Sequence, residues 1–165
     1  MNEIKKILVA VAPSKEQAEG IFNYAAKLAA SLNAELIVAN VINSRDVEAV
    51  SKIVSLGYEV DGEHYVQGVR EERKRMMDQI IKRSSFPAES VRTIFKVGNP
   101  IDELLKIIEK EDADIIVMGP KGRTNLEHVI LGSVAEKMFR RSPVPILSYR
   151  DEKCAKRLKK RVHLK

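Results

Sequence analysis

The chain has few of the residues that mark secreted, disulfide-bonded or membrane-spanning proteins. Its 165 residues include one cysteine and no tryptophan, and only 5% are aromatic. The lone Cys154 cannot form an intramolecular disulfide, and its charged neighbours predict a position outside the core. No apolar run approaches the ~18 residues that cross a bilayer, and the first residues lead into a strand-like segment without a signal-peptide core. We therefore expect a cytoplasmic protein.

Most of the chain has no excess of positive or negative charge. Residues 150–165 hold eight Lys/Arg and two Asp/Glu, which accounts for the whole net charge of +6. With 44% hydrophobic and 32% charged residues, the neutral remainder is typical of a folded globular protein. We expect one domain over residues 1–150 and a basic tail over 151–165.

The tail allows two interpretations. Cys154, Leu158 and Val162 recur every four residues, so a helix here would carry a thin apolar stripe on a basic surface. Such a helix is suited to docking on a partner protein, an acidic membrane surface or nucleic acid. Terminal segments usually fray, and a frayed, solubilising terminus is our expectation.

Apolar, β-rich segments alternate with amphipathic ones along the chain. This order predicts right-handed βαβ crossovers and a mostly parallel sheet between two helical layers, a single-domain α/β/α fold. Ser14 and Asn99 are predicted N-caps, the latter followed by Pro100 at the first helical position. The predicted strands are 4–11, 35–41, 90–97, 114–118 and 144–149, and the predicted helices cover 15–32, 46–56, 63–84, a segment from Pro100, and 133–141.

Glycines cluster where the fourth strand gives way to a helix. Gly119, Gly122 and Gly132 surround this connection, and Ser133 follows the last of them. Glycine lets a backbone approach an anion closely, and a helix N-terminus offers unpaired N–H groups, so the pattern suits a phosphate. Turn and cap glycines of an ordinary connection would look the same, and spacing alone leaves both interpretations open. Neither a P-loop nor a Gly-x-Gly-x-x-Gly motif is present.

The pattern Gly119-x-x-Gly122, nine residues, then Gly132-Ser133 resembles the nucleotide-binding signature of the universal stress protein family. Residues 133–137 and 142–147 match as well, and the resemblance covers roughly residues 6–150. It implies a Rossmann-like five-stranded parallel sheet of order 3-2-1-4-5. It also implies a homodimer paired through the last strand, Val144 to Tyr149, and ATP as ligand, with Mg as a candidate metal.

The resemblance also implies a site, residue by residue. Gly119 and Gly122 would lie against ribose and phosphates, and Gly132, Ser133 and Val134 would donate to the phosphates. Val41 and Met118 would line the base and sugar, with Val11 beside them. Ala12 stands where ATP-binding members commonly have aspartate, which implies weaker, base-shifted or less metal-dependent binding.

No catalytic constellation is evident. Ser133 lacks a nucleophile-elbow context, and no Cys/His/Asp cluster has metal-ligand spacing. We expect a binding protein with at most slow, incidental ATP hydrolysis. Three functions remain open: an ATP-binding regulatory module acting through its dimer and an unknown protein partner, a dimeric scaffold without nucleotide, and a nucleic-acid-associated protein using its tail.

Overall fold

The computed structural model describes residues 3–11, 14–54, 57, 62–120 and 131–162. Strands and helices alternate along most of this length, as the apolar pattern predicts. The strands are β1 Lys6–Ala10, β2 Glu35–Asn43, β3 Val91–Gly98, β4 Ile115–Met118 and β5 Ile146–Ser148. The helices are α1 Lys15–Leu32, α2 Ser44–Val54, α3 Gly62–Arg83, α4 Pro100–Glu111, α5 Ser133–Arg141 and α6 Glu152–Arg161.

The five strands form one parallel sheet with the order β3-β2-β1-β4-β5. The predicted α/β fold and its strand order 3-2-1-4-5 are therefore confirmed. β1 lies at the centre, where Ala10 pairs with Ala39 of β2 on one side and Met118 of β4 on the other. The strand order reverses between β1 and β4, and this point determines where the fold offers a ligand site.

Two apolar clusters cover the two faces of the sheet. Successive residues of a strand point to opposite faces, so Ile7 packs with α1 and α3 while Leu8 packs with α4 and α5. Both side chains are fully buried. We call these layers the α1 face and the α5 face.

The helix starts follow the predicted caps. Ser14 Oγ accepts from the Gln17 amide at 3.4 Å, and Asn99 Oδ1 accepts from the amides of Ile101 and Asp102 at 3.0 and 3.4 Å. Pro100 opens α4 as expected. Each cap supplies partners for amides that the first turn of a helix leaves unbonded.

Several element boundaries differ from the predicted ones. β2 continues to Asn43, and α2 begins at the next residue because the Asn43 side chain already accepts from the Arg45 amide at 3.1 Å. β5 has three residues instead of six, since only Ile146–Ser148 pair with β4. Gly57 has the left-handed φ of 98° predicted for a helix-ending glycine, although α2 itself ends at Val54.

The tail forms a helix, so the expected frayed terminus is wrong for Glu152–Arg161. Asp151 caps α6 by accepting the Cys154 amide at 2.6 Å. Cys154 and Leu158 are half-buried, whereas Val162 is 66% exposed, so the inner part of the predicted stripe packs and its end does not. Within the described residues, no helix is both long and apolar enough to cross a membrane.

Candidate functional site

The candidate site lies at the carboxyl ends of β1 and β4. Ala10 and Met118 are paired in register, so Val11 and Gly119 leave the sheet side by side. Diverging connections at a reversal of strand order open a crevice, and ligands of open parallel sheets bind there. The sequence-predicted glycine connection therefore starts at the position that the topology favours.

The residues predicted to line the base and sugar divide between the two faces of the sheet. Val41 and the buried Met118 belong to the α5-face cluster. Val11 packs against the α1-face cluster, so its side chain is not brought together with the other two. The neighbouring Ala10 packs with Val41 and Met118 instead. Sequence reasoning missed Ala10, although the two-residue alternation of a strand placed it on the correct face.

The start of α5 provides the anion-binding geometry. Gly132 is the N-cap, and having no side chain it makes no capping bond, so the first amides of α5, from Ser133 and Val134 onward, receive no acceptor from the cap residue. The amide of Gly132 itself donates to the Pro120 carbonyl oxygen at 2.7 Å. The Gly132 amide is therefore already bonded within the chain, and of the three predicted phosphate donors Ser133 and Val134 remain candidates.

Gly132 has φ −76° and ψ 156°, an extended conformation that any residue adopts. Its conformation does not require glycine. The lack of a side chain is therefore its relevant property, because a larger residue would cover the amides that follow.

Two of the residues singled out in the sequence cannot be placed. Gly122 and Ala12 lie outside the described residues, as does the segment 121–130. The described part of the site thus consists of the ends of β1, β2 and β4, the dipeptide Gly119-Pro120 and the start of α5.

Arg73 is a site neighbour that the sequence did not reveal. It lies on α3, is only 9% exposed, and donates from Nη1 to the Val41 carbonyl oxygen at 2.9 Å. The adjacent Asn40 is 1% exposed, and its Nδ2 has no hydrogen-bond partner among the residues that the structure describes. Arg73 lies in the run Arg70-Glu-Glu-Arg-Lys-Arg75, whose charge predicts a solvated helix face, and no pattern in the sequence distinguishes Arg73 from its neighbours.

A cavity of about 640 Å³ opens beside the crevice. We call it the α6 cavity because α6 forms one wall, opposite the start of α1, with the residues after β4 between them. Its lining includes Ser14, Gly20, Gly119, Pro120, Tyr149, Cys154 and Arg157. The volume lies within the range of about 300–1,000 Å³ typical of small-molecule sites.

A second cavity, of about 730 Å³, lies at the other end of the sheet. Asp112, Ala113, Pro143 and Val144 line it, and they precede β4 and β5. It therefore faces the amino ends of the strands, the edge that parallel sheets do not use for ligands. The larger cavity is the poorer candidate.

The described residues offer no metal site of their own. No group of three or more His, Cys, Asp or Glu side chains within the described ranges could hold a metal ion.

Comparison with known proteins identifies the family. The model of the universal stress protein family matches residues 3–150, which is most of the chain. The chain belongs to the universal stress protein family. The family match ends before α6.

Individual relatives agree with this assignment. The universal stress protein MJ0577 of Methanocaldococcus jannaschii is 36% identical over 122 residues, which cover 68% of this chain and 75% of that protein. A putative universal stress protein of Staphylococcus saprophyticus is 34% identical over 158 residues, covering 92% and 87%.

Solved structures show the same fold. The structure of MJ0577 has a TM-score of 0.74 at 31% identity and covers 92% of this chain and 99% of that one. A universal stress protein in complex with cAMP has a TM-score of 0.56 at 19% identity, covering 90% and 98%. The universal stress protein of Archaeoglobus fulgidus in complex with dAMP has a TM-score of 0.55 at 18% identity, covering 90% and 100%. At 19% and 18% identity, the similarity to the cAMP and dAMP complexes shows a shared fold alone.

Proposed function

We propose that the protein is a regulatory module that binds ATP at the carboxyl ends of β1 and β4 and acts through a homodimer. The observation that carries this proposal is the bare N-terminus of α5. A glycine cap supplies no side-chain acceptor to the amides of Ser133 and Val134, beside the residues that follow β4. Aligned N–H groups and the positive end of a helix stabilise a phosphate.

The remaining walls suit an adenine nucleoside. Val41, Ala10 and Met118 lie on the α5 face and give an apolar surface at the ends of three adjacent strands. A base placed there would have its phosphates directed to the start of α5 on the same face. Two proteins of this fold have structures in complex with the adenine nucleotides cAMP and dAMP, which supports adenine as the base.

Magnesium would enter with the nucleotide. Because the described residues hold no cluster of metal ligands, the ion would be held by phosphate oxygens and water, as Mg²⁺ commonly is. The chain would supply backbone donors to the phosphates. The function is one of binding, with ATP hydrolysis slow and incidental.

The homodimer would form through β5. This strand ends the sheet order and pairs only with β4 among the described strands. The outer edge of a terminal strand presents N–H and C=O groups that a second copy can use. A nucleotide bound at the neighbouring start of α5 would then be sensed at the dimer interface.

The test is calorimetric titration of ATP into protein stripped of nucleotide, with and without magnesium. We expect saturable binding near one ATP per chain, lost in Gly132→Val because the new side chain covers the amides of Ser133 and Val134. The matched control is Gly68→Val, since Gly68 is exposed and a side chain there meets nothing within 4 Å.

Circular dichroism of both variants shows whether each is folded. If wild type and Gly132→Val give the same heat of titration, the site at α5 is wrong. If neither binds ATP but light scattering finds a dimer, the protein is a scaffold without nucleotide.

A further inference from the structure

The last helix turns a row of lysines to solvent. Four lysines of α6 are exposed: Lys153, Lys156, Lys159 and Lys160. Residues three and four apart lie side by side on a helix, so the four ammonium groups share one surface. We call this surface the lysine face.

The opposite side of α6 is anchored on the domain. Cys154 and Leu158 are half-buried, and Cys154 lines the α6 cavity together with Tyr149 and Gly20. The Tyr149 ring lies 5.4 Å from the Tyr24 ring, and a Cβ at Gly20 would be 3.1 Å from Tyr149 Cε1 and Oη. The segment that leads from β5 to α6 is thus packed on α1. Because α6 is folded and anchored in the free protein, a partner does not have to order it first.

Negative charge near α6 is concentrated at its first turn and beneath it. Asp151 serves as the cap, where it accepts the Cys154 amide at 2.6 Å. Glu152 lies 3.4 Å from the Lys156 ammonium, and these two side chains are 91% and 75% exposed. Glu16 of α1 lines the cavity on the anchored side of the helix. Since an ion pair as exposed as that of Glu152 is screened by solvent, the lysine face keeps an excess of positive charge.

The orientation of α6 favours one class of polyanion. A helix that inserts into an acidic membrane surface needs a free apolar face. The apolar side chains within α6 are half-buried, and the exposed Val162 comes after the last residue of the helix. Single-stranded nucleic acid is bound largely by stacking of its bases on aromatic side chains, and residues 152–161 include none. A row of lysines on an ordered helix suits the regularly spaced phosphates of a duplex.

We propose that the lysine face of α6 binds the phosphate backbone of double-stranded nucleic acid. Lysine contacts to phosphates position a protein on a duplex without distinguishing its bases, so this binding is independent of sequence. The lysine face follows the family match, which ends at residue 150. The inference goes beyond nucleotide binding at α5 and is tested in the absence of ATP.

The first test compares two quadruple variants with the same change of charge. One replaces the lysine face: Lys153→Gln, Lys156→Gln, Lys159→Gln and Lys160→Gln. The control replaces four exposed lysines of α1, α3 and α4: Lys27→Gln, Lys74→Gln, Lys82→Gln and Lys110→Gln. Fluorescence anisotropy of a short labelled DNA duplex measures the Kd of both variants and of wild type at several salt concentrations. Circular dichroism shows whether the variants keep their helix content.

We expect the logarithm of the wild-type association constant to fall with the logarithm of the salt concentration at a slope of about −3 to −4, because four phosphates are contacted. Binding should thus be about a hundredfold weaker at 200 mM salt than at 50 mM. The variant of the lysine face should lose most of this binding and its salt slope, while the control keeps both. Equal losses in the two variants overturn the inference, as does a wild-type protein that does not bind the duplex at the lowest salt concentration.

The second test removes the carboxylate beside the lysine face. Glu152→Gln should tighten duplex binding about twofold to fivefold, the effect of one exposed charge pair. The matched control is Glu109→Gln, which removes an exposed carboxylate from α4 and should leave the Kd unchanged. An unaltered Kd in Glu152→Gln, or equal tightening in both variants, places the duplex elsewhere on the molecule.

Two further ligands test the choice of partner. Single-stranded DNA of the same length should bind more weakly than the duplex. Vesicles that contain phosphatidylserine should not bind the protein at a salt concentration where the duplex does. Tighter binding of either ligand than of the duplex, lost on replacing the lysine face, would assign this surface to another partner and overturn the proposal.

Discussion

Arg73 places a guanidinium group in the interior beside the end of β2. Its Nη1 donates to the Val41 carbonyl oxygen at 2.9 Å, a bond that fixes the backbone of a residue expected to contact the base. The Val41 side chain packs on the opposite side of the sheet from α3, and Arg73 contacts Val41 through this carbonyl. Its role is one of positioning.

We predict that Arg73→Met lowers the free energy of unfolding by about 1–3 kcal/mol, because a buried carbonyl loses a charged donor. The control is Arg70→Met. Arg70 is exposed and lies 5.4 Å over the Phe95 ring, a contact worth about 0.5–1 kcal/mol. Urea denaturation gives the free energy of unfolding of both variants. Equal losses would show that the hydrogen bond to Val41 stabilises the fold no more than the exposed Arg70–Phe95 contact does.

The sequence predicts the roles of residues that depend only on their neighbours along the chain. Ser14 and Asn99 were identified as caps because a short polar side chain before an amphipathic run bonds the first amides without help from distant parts of the chain. Arg73 was missed because its burial depends on where α3 packs on β2. The alternation of a strand is visible in the sequence, but it does not show which face of the sheet carries the site. The sequence therefore could not tell whether Val11 or Ala10 lies on the site face.

At the scale of elements, α1 and α3 each contain an interior glycine, and the two differ in their surroundings. Gly68 on α3 is exposed with open space around it, whereas Gly20 on α1 lies against the Tyr149 ring. Glycine inside a helix costs about 0.5–1 kcal/mol relative to alanine. The two positions therefore separate helix propensity from contact with the segment that leads to α6.

We predict that Gly68→Ala raises the free energy of unfolding by about 0.5–1 kcal/mol. Gly20→Ala should gain less or lose stability, since its Cβ would be 3.1 Å from Tyr149 Cε1 and Oη. Thermal unfolding monitored by circular dichroism measures both changes. In a Tyr149→Leu background, Gly20→Ala should regain the benefit seen at Gly68, and its failure to do so would mean that Tyr149 does not restrict this position.

Helix ends show where element-level prediction from sequence is incomplete. Asn33 and Asp112 end α1 and α4 with φ of 54° and 55°, the left-handed conformation that glycine usually supplies. Asparagine and aspartate tolerate it because their short polar side chains bond locally. The start signals of these helices were clear in the sequence, while the end signals lay in residues that also occur in ordinary loops.

At the scale of the whole molecule, α6 differs from the preceding domain in its share of the apolar clusters and in its net charge. Neither apolar cluster contains a described residue after Tyr149. The excess positive charge, in contrast, lies entirely in residues 150–165. The preceding domain thus provides the core, and the C-terminal segment that contains α6 provides the net charge.

We predict that a chain ending at Arg150 keeps a single cooperative thermal transition and the far-UV spectrum of an α/β protein, because both clusters remain complete. It should lose most of any salt-sensitive binding to polyanions, since that binding follows the number of cations in contact. Differential scanning calorimetry and titration with a DNA duplex at two salt concentrations measure these properties. Loss of the cooperative transition would show that α6 is part of the folding unit.

The bare glycine cap of α5 also determines how readily this site can change. Glycine is nearly as good an N-cap as serine, so leaving the amides uncovered costs the helix only about a few tenths of a kcal/mol. The conformation of Gly132 accepts any residue, so a serine or aspartate could cover the amides without backbone strain. If the proposed function holds, a single substitution at Gly132 would cover the amides and abolish nucleotide binding while slightly raising the stability of α5. Stability would therefore not oppose the loss of that function.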